Sequence, residues 1–282
     1  MAKHVKMVAQ PFLKWAGGKR QLLPAIRLHL PVKFPRIANY YEPFIGGGAV
    51  LFGLQPKKAV VNDVNQEIVN AYQIIRDQVE ELVEDLKKHR NDAKYYYGLR
   101  ELDREPGFSR LSGLQKASRT IFLNKTCFNG LFRVNSKGQF NVPFGKYKNP
   151  NFVDTVILKA VSIYLNKAEI TFLKGDFEDA VRGITRNSFV YFDPPYHPIS
   201  ETSSFTGYSL DGFGEEEQKR LKRLCDKLHG AGVKFLLSNS CCDFIRKLYK
   251  GYEIIEIPAA RSINSVGNGR GKISEVLIKN YG

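Results

Sequence analysis

Residues 39–63 restrict the fold most. They read as a strand (NYYEPF), a glycine turn (Gly46, Gly47, Gly48), a short helix (AVLFGL) and a second strand (KAVVND) that ends on Asp63. A helix between two strands carries the chain back over the sheet face, so the second strand lies parallel to the first. The amphipathic helix NQEIVNAYQIIRD follows. The same alternation returns later, with EITFLKGD and SFVYFDPPY as strands, a helix from Glu215 to Leu228, strand VKFLLSNS, a helix from Asp243 to Tyr249, and strands YEIIEI and ISEVLIKNY. Such grammar predicts an α/β fold whose sheet is covered by helices. A helix from Gln21 to Leu30, stopped by Pro31, precedes the first strand.

From about Val79 the alternation lapses. VEELVEDLKKH, KYYYGLRELDR and LQKASRTIFLNKTCF read as three polar helices, and RVNSKGQFNV reads as a β-hairpin turning at Ser136, Lys137 and Gly138. A helix from Val153 to Leu165 leads back to the strands. The chain of 282 residues therefore divides into an α/β domain, residues 1–76 and 161–282, and a mainly helical insert, residues 77–160, that carries the hairpin.

Charge is concentrated along this layout. The net charge is +15, yet Met1 to Tyr41 holds eight Lys/Arg and no acid, and Pro106 to Val153 holds eight more and no acid, which leaves −1 elsewhere. Two acid-free blocks point to a polyanion partner. The second block interleaves cations with aromatics and amides (RTIFLNKTCFNGLFRVNSKGQFNVPFGKYKNP), the mixture that serves phosphate contact, stacking and base-edge reading. No apolar run reaches the length of a bilayer span and the N-terminus has no apolar signal core, so a cytosolic, soluble protein without a membrane partner is expected. Four sparse cysteines and scattered histidines predict neither disulfides nor a metal site.

Ligands of open α/β sheets collect at the strand tips. At the first tip, Gly46 to Gly48 allow close approach of backbone to a ligand. At the second, Asp63 stands where a carboxylate accepts ribose hydroxyls, and the pair points to an adenosyl cofactor. The spacing fails the third glycine of GxGxxG, and Gly17-Gly18-Lys19-Arg20 fails the P-loop pattern. At the third tip, VYFDPPY places two prolines directly after an apolar strand, a rigid turn that aims Asp193 and the Pro194 carbonyl into the crevice. The lone pair of an amino group on a base is conjugated into the ring. Two acceptors on its hydrogens favour a pyramidal, nucleophilic nitrogen, and Tyr196 supplies a stacking face for a base swung out of its helix.

FLKWAGGKR, EPFIGGGAVLF, VVNDVN, NGLFRVNSKGQFNVPFGKYKNP and VYFDPPY occur in this order. Together they resemble the Dam-type DNA adenine-N6 methyltransferases of the D12 class, group alpha, and in particular the GATC-specific modification methylases of bacterial restriction systems. The resemblance covers almost the whole chain. It implies a Rossmann-like, seven-stranded methyltransferase sheet, S-adenosyl-L-methionine as cofactor, double-stranded DNA as partner, GATC as target, activity at the bacterial nucleoid, and a cognate restriction endonuclease system. No obligate protein partner is implied, since one chain holds every motif. By residue, the resemblance implies that Trp15, Lys19, Phe44, Gly46, Asp63, Asp176, Phe177 and Asp193 bind the cofactor. It implies that Arg133 and Lys14 read guanines, that Leu131 and Pro143 lie near the thymine, and that Phe128 and Asn129 enter the duplex as the target base leaves. Phe128 stands where some members carry tyrosine.

Taken singly, Trp15 also reads as a core anchor, Lys19 as a solvated cation and Arg133 as a phosphate contact. The expected chemistry is direct methyl transfer from S-adenosyl-L-methionine to the adenine amine, with Asp193, Pro194 and Tyr196 as the catalytic group. None of the four cysteines follows a proline, which argues against methylation at a ring carbon. The alternatives are an inactive DNA-binding module of the same fold, a methyltransferase acting on RNA or a protein amide, and, more distantly, a dehydrogenase.

Overall fold

The computed structural model describes residues 8–15, 17, 19–198, 212–259 and 273–282. Ala16 and Gly18 of the FLKWAGGKR segment, and basic residues of the first seven positions, lie outside them. In chain order the elements are α1 (Leu23–Leu28), β1 (Asn39–Glu42), α2 (Ala49–Leu54), β2 (Lys58–Asp63), α3 (Gln66–Asp77), α4 (Val79–Leu86), α5 (Ala93–Glu101), α6 (Gly113–Thr126) and α7 (Thr155–Lys167). Then come β3 (Glu169–Lys174), β4 (Ser188–Phe192), α8 (Glu215–Gly230), β5 (Lys234–Ser240), α9 (Asp243–Leu248), β6 (Glu253–Ala259) and β7 (Ile273–Lys279). Helix α1 is shorter than the sequence predicts, because Pro24 fixes its first turn and lacks the N–H that an earlier start would need.

The strands form one seven-stranded sheet in the order β3-β2-β1-β4-β5-β7-β6, as a Rossmann-like methyltransferase sheet requires. β7 runs antiparallel to β5 and β6, and the other pairings are parallel. From β1 the chain steps outward through β2 to β3, then returns to β4 on the other side of β1. That reversal opens a crevice at the carboxyl ends of β1 and β4. Strand β4 is buried along its whole length, and its alternate residues serve two cores. Phe189 and Tyr191 face one that includes Tyr72 of α3 and Phe122 of α6, while Val190 and Phe192 face the other with Leu221 of α8 and Ile245 of α9.

Helices α4 to α6 share the first core with the sheet, so they are packed against it through apolar side chains. Helix α7 runs across residue 160, where the sequence places the end of the insert. The expected hairpin folds back as predicted but is held by single bridges, Val134 to Phe140 and Cys127 to Phe144. A longer ladder is pre-empted because Asn135 Oδ1 accepts the N–H groups of Lys137 and Gln139, and Asp103 Oδ2 accepts that of Phe140.

One cation of the second basic block is structural. Arg119 is buried on α6, with Nη2 2.9 Å from Asp103 Oδ2 and Nη1 3.5 Å from Glu67 Oε1, and it also donates to the carbonyls of Leu99 and Arg100. That charge is spent joining α6 to α3 and to the loop after α5. No helix among the described residues is long and apolar enough to cross a membrane.

Candidate active site

The apolar strand β4 ends at Phe192, and Asp193-Pro194-Pro195-Tyr196 turns across the crevice. Polar side chains at the end of β5 hold this corner. Ser238 Oγ donates to Asp193 Oδ1 at 3.0 Å and shares a hydrogen bond with Tyr191 Oη. Asn239 Oδ1 accepts the N–H of His197, and Ser240 Oγ donates to the His197 carbonyl. Gln218 of α8 donates to the Pro195 carbonyl and accepts from Asn239. All four of these side chains are buried, so the corner is fixed by satisfied polar groups in a low-dielectric setting. Among the described residues nothing donates to Asp193 Oδ2 or to the Pro194 carbonyl oxygen.

Lys19 is only 4% exposed, and its Nζ lies 2.8 Å from Asp193 Oδ1, 2.6 Å from the Gly17 carbonyl oxygen and 4.5 Å from the centre of the Tyr196 ring. Burial raises the pKa of Asp193, and the Lys19 ammonium and the Ser238 hydroxyl oppose that rise. Tyr196 Oη donates to Glu275 Oε2 at 2.6 Å. One ring face is thus covered by a cation and the phenol is tethered to β7.

The glycine turn is built around Trp15. Gly46 has φ +46°, and a Cβ there would stand 2.5 Å from the indole Nε1. Asp63 Oδ2 accepts the N–H of Gly46 at 2.9 Å, and Oδ1 accepts that of Asn65. Asn62 donates to the carbonyls of Pro43 and Gly175, fixing the tips of β1, β2 and β3 together. Glu42 is buried beneath the turn, where desolvation pushes its carboxyl up to about 8 despite a hydrogen bond from Tyr40. At the outer end, Phe44 stacks on Phe177 at 5.3 Å, and Asp176 is paired with Arg220.

The residues expected at the cofactor (Trp15, Lys19, Phe44, Gly46, Asp63, Asp176, Phe177 and Asp193) therefore lie along the tips of β1 to β4 with Pro194 and Tyr196. Those expected at DNA lie on or against the loop after α6. Phe128 and Asn129 are exposed at its apex, with Asn129 in the left-handed region at φ 55°. Arg133 is exposed and its Nε donates to Asn141 Oδ1 at 2.8 Å. Leu131 is half-buried, and Pro143 is exposed while its carbonyl accepts the Phe128 N–H. Lys14 Nζ lies 4.0 Å from the Tyr147 ring centre. The two groups meet at residues 14 and 15. Asn124 pairs with both the N–H and the carbonyl of Lys14 and reaches the Gly130 carbonyl, while Trp15 lies 5.7 Å from Phe132.

The sequence carries a matching family signature. The model of the D12 class N6 adenine-specific DNA methyltransferases matches residues 15–263. The chain belongs to that class. Type II methyltransferase M1.LlaDCHI of Lactococcus lactis subsp. cremoris is 46% identical over 279 residues, covering 98% of this chain and 97% of the relative. Type II methyltransferase M.MjaIII of Methanocaldococcus jannaschii is 43% identical over 292 residues, covering 98% and 100%. A DNA adenine methylase of Vibrio cholerae is 32% identical over 272 residues, covering 94% of each chain. As a D12 class enzyme, the protein transfers a methyl group from S-adenosyl-L-methionine to the N6 amine of adenine in DNA. Ser238, Asn239, Gln218, Asn62, Asn124 and Glu275 were not singled out by sequence reasoning. Their only signal is polarity at positions that the apolar pattern assigns to the interior.

Proposed function

We propose that this methyltransferase acts on GATC in double-stranded DNA, drawing the adenine out of the helix and seating its amine between Asp193 and Pro194. The observation that carries the reading is the pair of acceptors at the diproline corner, Asp193 Oδ2 and the Pro194 oxygen, beside the tethered Tyr196 ring. Bound S-adenosyl-L-methionine supplies an electrophilic methyl group on a sulfonium. The donor set fits that molecule. Lys19 and Asp193 suit a zwitterionic end, Asp63 and the Gly46 turn suit a ribose, and Phe44, Asp176 and Phe177 suit an adenine.

On this reading, the two acceptors take the two amine hydrogens and localise the nitrogen lone pair. Tyr196 stacks on the extruded base through the face that Lys19 leaves open. The raised affinity of Asp193 for a proton equips it to receive the one the amine releases as its bond to the methyl carbon forms and the carbon–sulfur bond breaks, the sulfur leaving as a neutral thioether. Positioning and fixed electrostatics then account for most of the rate. Phe128 and Asn129 fill the space left in the duplex, Arg133 and Lys14 contact guanines, and Leu131 and Pro143 contact the thymine methyl. The relatives named as Type II methyltransferases support pairing with a restriction endonuclease.

The test is transfer of labelled methyl from S-adenosyl-L-methionine to a set of duplexes carrying every permutation of the four-base site, with matched RNA as a control. Label confined to the adenine of GATC supports the reading. Equal labelling of permuted sites, or labelling of RNA, contradicts it.

A further inference from the structure

Arg220 of α8 gathers three carboxylates and an aromatic ring at the outer end of the crevice. Its guanidinium is paired with Asp176, donates to Glu178 Oε1 at 2.8 Å and to Glu217 Oε2 at 3.2 Å, and lies 4.6 Å from the centre of the Phe177 ring. The Glu217 contact is an ordinary pair one helical turn away. The others are not, since they bind α8 to the segment after β3, more than forty residues distant in sequence. Only a planar fork accomplishes this, holding two carboxylates by its edges while its face lies on a ring.

The consequence falls on Asp176. Its Oδ1 takes both the guanidinium and the N–H of Glu178, at 2.8 Å for the latter, and no described residue donates to Oδ2. One oxygen is pinned and the other is presented beside Phe177, whose ring stacks on Phe44. We infer that Arg220 is a positioning residue of the cofactor site, fixing Asp176 and Phe177 so that Asp176 Oδ2 accepts the exocyclic amine of the cofactor's adenine. The inference rests on Phe44, Asp176 and Phe177 being the adenine end. It adds a specificity device, because an oxygen fixed as an acceptor rejects a purine that carries a carbonyl at that position.

Equilibrium titration of S-adenosylhomocysteine and of its 6-oxo counterpart, S-inosylhomocysteine, against wild type, Arg220→Met and Arg220→Lys reads this directly. The wild type is expected to prefer the amino form by about tenfold or more, the cost of facing one fixed acceptor with another. In Arg220→Met the preference is expected to fall to within roughly threefold, because the carboxylate is no longer pinned, and Arg220→Lys should lie between. A preference unchanged in both variants overturns the role of Arg220 while leaving the cofactor reading intact. Failure of the wild type to bind either compound overturns both. The preference is a ratio within one protein, so a general loosening of the fold does not imitate the effect, and Arg220→Lys carries the test should Arg220→Met fail to fold.

Discussion

The ammonium of Lys19 stands 2.8 Å from Asp193 Oδ1, and both groups are drawn from water at the tip of a buried strand. Burial alone drives the carboxyl toward its neutral form, which donates where the chemistry needs an acceptor. The buried cation opposes that shift and so favours the ionised acceptor. Replacing Lys19 by Met removes the largest opposing influence. The acidic limb of the pH profile of kcat/KM should then move to higher pH, with transfer at pH 7 falling by about tenfold or more. An acidic limb that stays in place contradicts the assigned role of the pair.

Glu42 gives a pH dependence of stability with a definite sign. Its folded carboxyl titrates near 8 against an ordinary 4.5, so protonation favours the folded state. The contribution is complete below pH 4.5 and is lost as pH rises through 8. Urea unfolding at pH 5.5 and 9 should show wild type losing more stability than Glu42→Gln, by about 3 kcal/mol. Parallel pH dependences in the two proteins rule out a raised pKa at this position.

At Gly46 backbone and space act together. Alanine would take a left-handed conformation and drive its methyl into the Trp15 indole. Gly46→Ala should weaken S-adenosyl-L-methionine binding by about tenfold or more and destabilise the fold by roughly 1 to 3 kcal/mol. Isothermal titration and thermal unfolding check the two effects separately.

Arg119 should be costly to remove. Arg119→Met removes the cation facing Glu67 and leaves Asp103 with Arg104 alone, and urea unfolding should register a loss of about 3 kcal/mol. Asp103 also accepts the Phe140 N–H, so the same variant should bind duplex DNA more weakly in a filter-binding assay.

The α/β alternation and the three strand tips were legible because each rests on a local signal: a period of two or 3.6, a glycine turn, a pair of prolines. The charge blocks were legible as sums but not as surfaces. Lys19 and Arg119 belong to acid-free stretches, yet both are buried against carboxylates that the fold brings in from Asp193, Asp103 and Glu67. Likewise Asn124, which ties Lys14 to the loop at Gly130, lies 110 positions from its first partner, and no local pattern announces such a contact. Ser238, Asn239 and Ser240 read as the polar end of a strand, and only the neighbouring β4 makes them the support of the diproline corner.

Single-turnover methyl transfer to a GATC duplex by Asp193→Ala, at saturating S-adenosyl-L-methionine and with DNA affinity measured in parallel, tests the central claim most directly. If Asp193 holds the adenine amine, the rate constant should fall by about 10² to 10³-fold or more while the duplex binds within roughly threefold of wild type. A rate near that of wild type, with cofactor and DNA both bound, would show that the amine is held elsewhere.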